Sequence, residues 1–368
     1  MFQGFKGKRQ KMKIISLVGT RPQFIKEAIL HKSFKYNGID EILVHSGQHY
    51  DKNMSDAFFK VLDIRQPHYN LGVGSGTHGG MTGKIMIAFE DVVLQEKPDV
   101  ILVYGDSDTT LAGALVGAKL KIPVAHVEAG LRQQPKDMPE EINRVVTDHV
   151  SSLLFCPSAL SVKNLKREGI TERVYFTGDV MYELYLKMKP HFDFSVVEKL
   201  GLAEEEYVVC TIHRDFNTDD PKVLRSILDQ LEIVSRQIPV VFPIHPRTRR
   251  RIQKFGFKVR NILVIEPVDY LKMMGLVKLC RLLITDSGGL QKEAYYAGKR
   301  SVVVMPDTGW RELVQIRWNK LSRPDDIARI TQKILNGEKA TAPSNIYGNG
   351  RSSKKIAEIL LTTGHVQS

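Results

Sequence analysis

Short apolar runs alternate along this chain with longer stretches in which apolar residues recur every three or four positions. The runs Lys13–Val18, Ile42–His45, Val100–Tyr104, Val124–Val127, Leu153–Cys156 and Val174–Phe176 are predicted strands. Helical spacing separates most of them, over Pro22–Ser33, Gly79–Gln95, Asp108–Leu120 and Pro139–Val150. A second strand series is predicted from Val208–Ile212 through Val240–Ile244, Ile262–Ile265, Leu282–Thr285 and Ser301–Val304. Short, wholly apolar strands alternating with helices imply parallel sheets covered on both faces. The pattern lapses between Asp179 and Glu205, where a helical stretch carries no strand. The expected division is therefore an N-terminal Rossmann-like domain over 13–180 and a C-terminal one over 181–349. The remaining segment, 350–368, carries a helical pattern over Gly350–Leu361 that is expected to pack back on the first domain. The predicted fold class is α/β: two doubly wound Rossmann-like domains facing a cleft at the carboxyl ends of their strands, where ligands bind in such sheets.

Length supports two domains, because 368 residues with 42% hydrophobic content exceed one ordinary core. No apolar run approaches the roughly 20 residues that span a bilayer. The basic stretch Met1–Lys13 lacks the apolar centre of a signal peptide. The expectation is a cytoplasmic protein with no membrane association. Cys156, Cys210 and Cys280 lie in or beside apolar runs and form no CxxC pair, so they are read as core thiols, with no metal site. The net charge of +12 fits either nucleic acid or an anionic substrate. The densest run, Arg247-Thr248-Arg249-Arg250-Arg251, has no aromatic interleaving and is read as a solvated helix face, so no nucleic-acid partner is expected.

Polar motifs follow the predicted strands. Ser287-Gly288-Gly289 sits where Leu282–Thr285 turns into a helix; free N–H groups and the helix dipole there favour an anion, and two glycines let a phosphate approach the backbone. Glu293, one turn on, is placed to accept from ribose hydroxyls. Gly19-Thr20-Arg21-Pro22 follows the first strand, with Gly19 read as a tight turn, Arg21 as a diphosphate grip and Lys26 one turn further on the same face. In Gly105-Asp106-Ser107-Asp108, Asp108 is the expected helix cap, which frees Asp106 for chemistry. Glu128, in His126-Val127-Glu128-Ala129-Gly130-Leu131-Arg132, ends a strand among apolar and small residues. Desolvation is expected to push its pKa up, and the competing structural role is an ion pair to Arg132. The pair Glu140-Glu141 opens a helix, ahead of Asn143 and Arg144. His213-Arg214 and His245-Pro246-Arg247 close consecutive strands of the second domain. Each motif alone is also compatible with turn, cap or salt-bridge chemistry.

In combination they resemble a family. Gly19-Thr20-Arg21-Pro22, Gly105-Asp106, His126-Val127-Glu128-Ala129-Gly130-Leu131-Arg132, Pro139-Glu140-Glu141-x-Asn143-Arg144, His213-Arg214 and Asp286-Ser287-Gly288-Gly289-x-Gln291-x-Glu293 occur in the order found in non-hydrolysing UDP-N-acetylglucosamine 2-epimerases. Gln23-Phe24, Met138-Pro139 and Gly309-Trp310-x-Glu312-Leu313-Val314 resemble the branch acting on UDP-2,3-diacetamido-2,3-dideoxyglucuronate. The resemblance implies a glycosyltransferase-B-type fold with a UDP-binding C-terminal domain. It also implies C2 inversion of a UDP-sugar by loss and return of UDP, a homodimer, and no organic cofactor. Asp106, Glu128, Glu140 and His213 are the implied catalytic groups. Arg21, Lys26, Arg144, His245, Met273, Ser287, Gly288, Gly289 and Glu293 are the implied substrate contacts. Met273 stands where many members place an aromatic residue against uracil, Arg317 replaces a usual glycine, and Asp51 replaces a regulatory glutamine. A glycosyltransferase of the same fold and a non-catalytic nucleotide-sugar or nucleic-acid binder remain the alternative readings.

Overall fold

The computed structural model describes residues 11–47, 64–337 and 345–363; Asp51 lies outside them. Thirteen parallel strands form two sheets among the described residues. The first holds β1 (Lys13–Val18), β2 (Asp40–His45), β3 (Tyr69–Asn70), β4 (Val100–Tyr104), β5 (Val124–Val127), β6 (Leu153–Cys156) and β7 (Val174–Phe176), in the spatial order 3-2-1-4-5-6-7. The second holds β8 (Val208–Thr211), β9 (Val240–Pro243), β10 (Leu263–Ile265), β11 (Leu282–Thr285), β12 (Ser301–Val303) and β13 (Lys320–Leu321), in the order 10-9-8-11-12-13. The α/β, doubly wound expectation is borne out. β3 and β13 are two-residue edge strands, too short for a hydrophobic period to register.

The strand order explains where function falls. In the first sheet the chain reverses direction of winding between β1 and β4, and in the second between β8 and β11. Such switch points leave a crevice beyond the strand ends, because the helices leaving the two central strands go to opposite faces. Gly19–Arg21 follows β1, Gly105-Asp106 follows β4, His213-Arg214 follows β8, and Asp286–Gly289 follows β11. All four motif loops therefore open on crevices.

One apolar cluster ties the sheets together. Val180, Leu184, Tyr185, Met188 and Phe192 of the connecting segment pack in one cluster with Phe155 of the first sheet, Val209 and Leu283 of the second, and Tyr207 just before β8. Each large side chain buried in this way contributes about 1.5–3 kcal/mol. The segment after Asp179 is thus packed structure rather than a solvated tether. The helix Ser352–Thr363 lies against the helices Arg21–Tyr36 and Val180–Met188, burying Ile356, Ala357 and Leu360. Ser353 donates to Glu183 from its amide (2.9 Å) and hydroxyl (2.7 Å). The three cysteines are buried and free. Arg247 and Arg251 pair with Asp219, and Arg249 with Glu266, on the outer face of the helix Pro246–Lys254. Among the described residues no helix is long and apolar enough to cross a membrane.

Candidate active site

A cleft of about 720 Å3 separates the two sheets' switch points. Arg21, Lys26, Asp106, Glu128 and Arg144 line it from one side; His213, His245, Met273, Ser287, Gly288, Gly289 and Glu293 line it from the other. Of the thirteen residues expected at the site, only Glu140 is not part of the lining. It is half-buried in the first turn of the helix Pro139–Val150, whereas its neighbour Glu141 is buried. Glu141 accepts from the Gln133 amide (2.9 Å) and from Arg144 (2.9 Å).

The first wall is held by side chains that reach between loops. Gln23 accepts from the amides of Gly19 (2.7 Å) and Thr20 (3.0 Å) and donates to the Tyr104 carbonyl (2.6 Å), fastening the loop after β1 to the end of β4. At the turn expected of Gly19 the backbone φ is not positive, and the glycine is needed for space instead. A Cβ there would lie 2.1 Å from Thr109 Oγ1 and 2.5 Å from Ser46 Oγ, so close packing requires the glycine. Arg21 forms no ion pair with a carboxylate among the described residues and projects from the first turn of its helix into the cleft. The Lys26 ammonium, one turn further along the same helix, lies 2.9 Å from Glu128.

Asp106 pairs with Arg144 at 2.5 Å, and Asn143 donates to the Asp106 carbonyl at 3.0 Å. The Asn143–Arg144 pair therefore positions Asp106. The helix cap expected of Asp108 is made by Ser107, whose hydroxyl accepts from the Thr110 amide. Asp108 is buried at the next position, beside Asn143 Nδ2 (3.3 Å) and His78 (2.9 Å).

Glu128 has a backbone φ of +77°, a region costly for a residue with a Cβ. The surrounding network fixes it there. His126 contacts Asp148 (2.7 Å) and the Gly105 carbonyl (2.7 Å), and Asp148 accepts from the Gly130 amide (3.0 Å) and Arg132 (2.7 Å). Burial pushes the Asp148 carboxyl up, but His126 and Arg132 outweigh it and hold it below its ordinary value. Arg132 is spent on Asp148 and Glu168, not on Glu128. The pKa expectation for Glu128 is also reversed. Burial, the largest influence, raises it, but Lys26 and Lys292 together hold it below the usual carboxylate range.

On the second wall, buried Asp286 accepts from the amides of His213 (2.9 Å) and Arg214 (2.9 Å), from Asn217 (3.1 Å) and from His213 Nδ1 (2.9 Å). Burial raises its pKa, and His213 with these donors brings it down below normal. With Nδ1 donating to Asp286, His213 presents Nε2 to the cleft. His245 stands beside it, with ring centroids 5.4 Å apart, and burial followed by the His213 charge lowers its pKa. Ser287 caps the helix Gly288–Tyr296. A Cβ on Gly289 would meet nothing within 4 Å, and on Gly288 only the Arg214 guanidinium at 3.9 Å, so the helix N-terminus is open to a ligand. Burial pushes the Glu293 carboxyl up to about 7, against the pull of Lys292, Tyr270 and Arg21.

Arg214, which with His213 forms a strand-end His-Arg pair suited to a phosphate or sugar contact, has its guanidinium beside Gly288, and its buried Nε has no hydrogen-bond partner among the described residues. One charged group is missed by motif reading. Lys292, inside the Gly-Gly-Leu-Gln-Lys-Glu run, is buried against Asp179 (2.5 Å) and Glu128 (3.6 Å). A cation on an otherwise buried helix face was the available signal. Away from the cleft, buried Glu27 and Glu41 and half-buried His31 form a cluster whose ligand-type atoms lie within 4.8 Å of one another. Arg65 already supplies its positive charge, at 3.0 Å from Glu27 and 2.7 Å from Glu41.

The fold and this cleft define a two-lobed protein of the glycosyltransferase-B type, with an anion cradle facing a carboxylate–lysine cluster. A family model described as UDP-N-acetylglucosamine 2-epimerase matches residues 32–361, and the chain belongs to that family. The chain is 44% identical over 357 residues to a UDP-2,3-diacetamido-2,3-dideoxy-D-glucuronate 2-epimerase of Pseudomonas aeruginosa, covering 95% of this chain and 99% of the other. It is 42% identical to a UDP-N-acetylglucosamine 2-epimerase homolog of Methanococcus maripaludis, with the same coverage. The crystal structure of Methanocaldococcus jannaschii UDP-GlcNAc 2-epimerase in complex with UDP-GlcNAc and UDP superposes with a TM-score of 0.84 at 38% identity, covering 95% of this chain and 100% of that one.

Proposed function

We propose that this chain reversibly inverts C2 of a UDP-2-acetamido sugar by eliminating UDP and adding it back. The observation that carries the reading is the cleft itself: Glu128 and Asp106 face an open helix N-terminus at Ser287–Gly289 across one cavity. The C2 proton of such a sugar has no adjacent carbonyl to acidify it. Its removal becomes feasible as the C1–O bond breaks: the C2–H electrons form a C1=C2 double bond, the C1–O electrons leave with UDP, and the proton passes to a carboxylate. Return of UDP to C1, with protonation of C2 from the opposite face, completes inversion.

The residues divide between these tasks. Arg21, Arg214, His213 and the amides at Ser287–Gly289 receive the charge that develops on the diphosphate. Glu293 accepts from the ribose, and Met273 with Tyr270 borders the base. Glu128, kept ionised by two lysines, takes the proton on one face. Asp106, oriented by Arg144, serves the other. Glu140 lies outside this division.

The Pseudomonas relative favours a 2,3-diacetamido uronate as the sugar. The domain division is placed at residue 180, and a homodimer is proposed. Ile87 (70% exposed) and Leu94 (56%), seven residues apart on one face of the helix His78–Glu96, form the apolar face that supports it. Light scattering should give twice the 41.7 kDa chain mass for wild type and one chain mass for Ile87→Glu; wild-type mass in the variant contradicts this face.

The chemistry is tested with Glu128→Gln. It should abolish solvent-deuterium incorporation at C2 while leaving UDP affinity within about twofold, because the nucleotide contacts other than Arg21 lie on the other wall. Undiminished incorporation in the variant contradicts the assignment.

A further inference from the structure

We infer that Lys292 is a positioning residue that crosses from the second domain to set the charge state and place of Glu128. The inference rests on the reading of Glu128 as the proton acceptor. Lys292 is carried by the helix Gly288–Tyr296, the same helix whose N-terminus forms the anion cradle. Its side chain is 3% exposed and reaches out of the second domain. Asp179, at the junction of the two domains, holds the ammonium at 2.5 Å and accepts from Tyr296 at 2.8 Å. The Trp310 ring lies beneath, with its centroid 3.5 Å from Nζ, a cation–π contact inside a desolvated site. From this anchored position Nζ stands 3.6 Å from the Glu128 carboxylate.

The charges around Glu128 show why the second lysine matters. Lys26, from the helix Arg21–Tyr36, is 2.9 Å away. Asp106, from the loop after β4, opposes it, while Asp106's own cation, Arg144, is shared with Glu141. Arg132 is committed to Asp148 and Glu168. Behind Lys292 stand Asp179, Glu293 and Glu312, so its charge is never in excess. A carboxylate this deeply buried, with Asp106 beside it and only Lys26 to offset both, tends toward the protonated acid, which cannot accept a proton. Because Lys292 arrives only with the second domain, Glu128 acquires its second counter-ion where the two lobes meet, and the same helix brings the diphosphate cradle.

The test reads Glu128 directly. Side-chain carboxyl 13C NMR titration of the full chain, with the Glu128 signal assigned by its loss in Glu128→Gln, is run on wild type, Lys292→Met, Lys292→Arg and Asp179→Asn. Lys292→Met should move the Glu128 midpoint up by about one pH unit or more. Lys292→Arg should restore it to within about half a unit, and Asp179→Asn, which releases the ammonium toward Glu128, should move it down. An unmoved midpoint in Lys292→Met overturns the inference. If that variant does not fold, an unmoved or raised midpoint in Asp179→Asn does so. The pH–rate profile for deuterium incorporation at C2 of UDP-2,3-diacetamido-2,3-dideoxyglucuronate or UDP-N-acetylglucosamine is measured in parallel. Its acid limb should shift with the NMR midpoint, with kcat falling more than KM changes. If the midpoint moves and the acid limb does not, Lys292 sets the charge of Glu128 but Glu128 is not the proton acceptor.

Discussion

Replacing Glu293 by Gln removes a carboxyl that burial has raised to about 7. In the proposed complex the ribose hydroxyls donate to this group, so it must be ionised when nucleotide is bound. Unliganded protein then has to release a proton on binding below neutrality. With a free-state value of about 7 and a much lower bound-state value, the affinity penalty grows from negligible at pH 8 to about tenfold at pH 6, or about 1.4 kcal/mol. His245 and the ligand's own phosphate also titrate, but they do so in both proteins. The ratio of wild-type to Glu293→Gln affinity therefore isolates the carboxyl. Calorimetric titration with UDP at pH 6, 7 and 8 should show that ratio falling about tenfold from pH 8 to pH 6. Stability moves in a linked way. The folded-state value lies above the ordinary 4.5, so the folded chain binds this proton more tightly than the unfolded chain. The contribution is complete below about pH 4.5 and is lost as pH rises through 7. Unfolding at pH 8 should then show Glu293→Gln more stable than wild type, by up to about 3 kcal/mol. An affinity ratio independent of pH, or a variant less stable at pH 8 than at pH 5 relative to wild type, refutes the reasoning.

Gly19→Ala should lower stability by about 1–3 kcal/mol in urea unfolding, because its Cβ would collide with Thr109 and Ser46 between two packed elements; an unchanged midpoint contradicts that packing. Arg317→Gly should raise stability by about 0.5–1 kcal/mol, since Arg317 is exposed and sits at φ +60° where a side chain is strained. A decrease in melting temperature would show that the Arg317 side chain contributes more than its backbone costs.

Element type and the motif loops were legible because apolar period and Gly/Pro punctuation are local signals. The first sheet's β1, β4, β5, β6 and β7 run over the residues predicted for them. Strand order was not legible, since nothing in the spacing of Lys13–Val18 and Val100–Tyr104 says that they pair. Pairing of charges was hidden for the same reason. Arg132 is four residues from Glu128 yet pairs with Asp148 and Glu168, while the partners of Glu128 come from Lys26 and Lys292, more than a hundred residues away on either side. That long-range pairing reversed the expected pKa shift of Glu128. Capping was ambiguous in Asp106-Ser107-Asp108, where three consecutive residues can each cap a helix and backbone direction selected Ser107. The choice between Glu140 and Glu141 depended on helix phase, which places Glu141 inward.

Proton NMR of the wild-type chain incubated in deuterated water with UDP-2,3-diacetamido-2,3-dideoxyglucuronate, or with UDP-N-acetylglucosamine, and no acceptor reads the central claim most directly. The account predicts a mixture of C2 epimers in which deuterium has replaced hydrogen at C2 of the product. Unchanged sugars with no label at C2, or free UDP accumulating without an epimer, would contradict it.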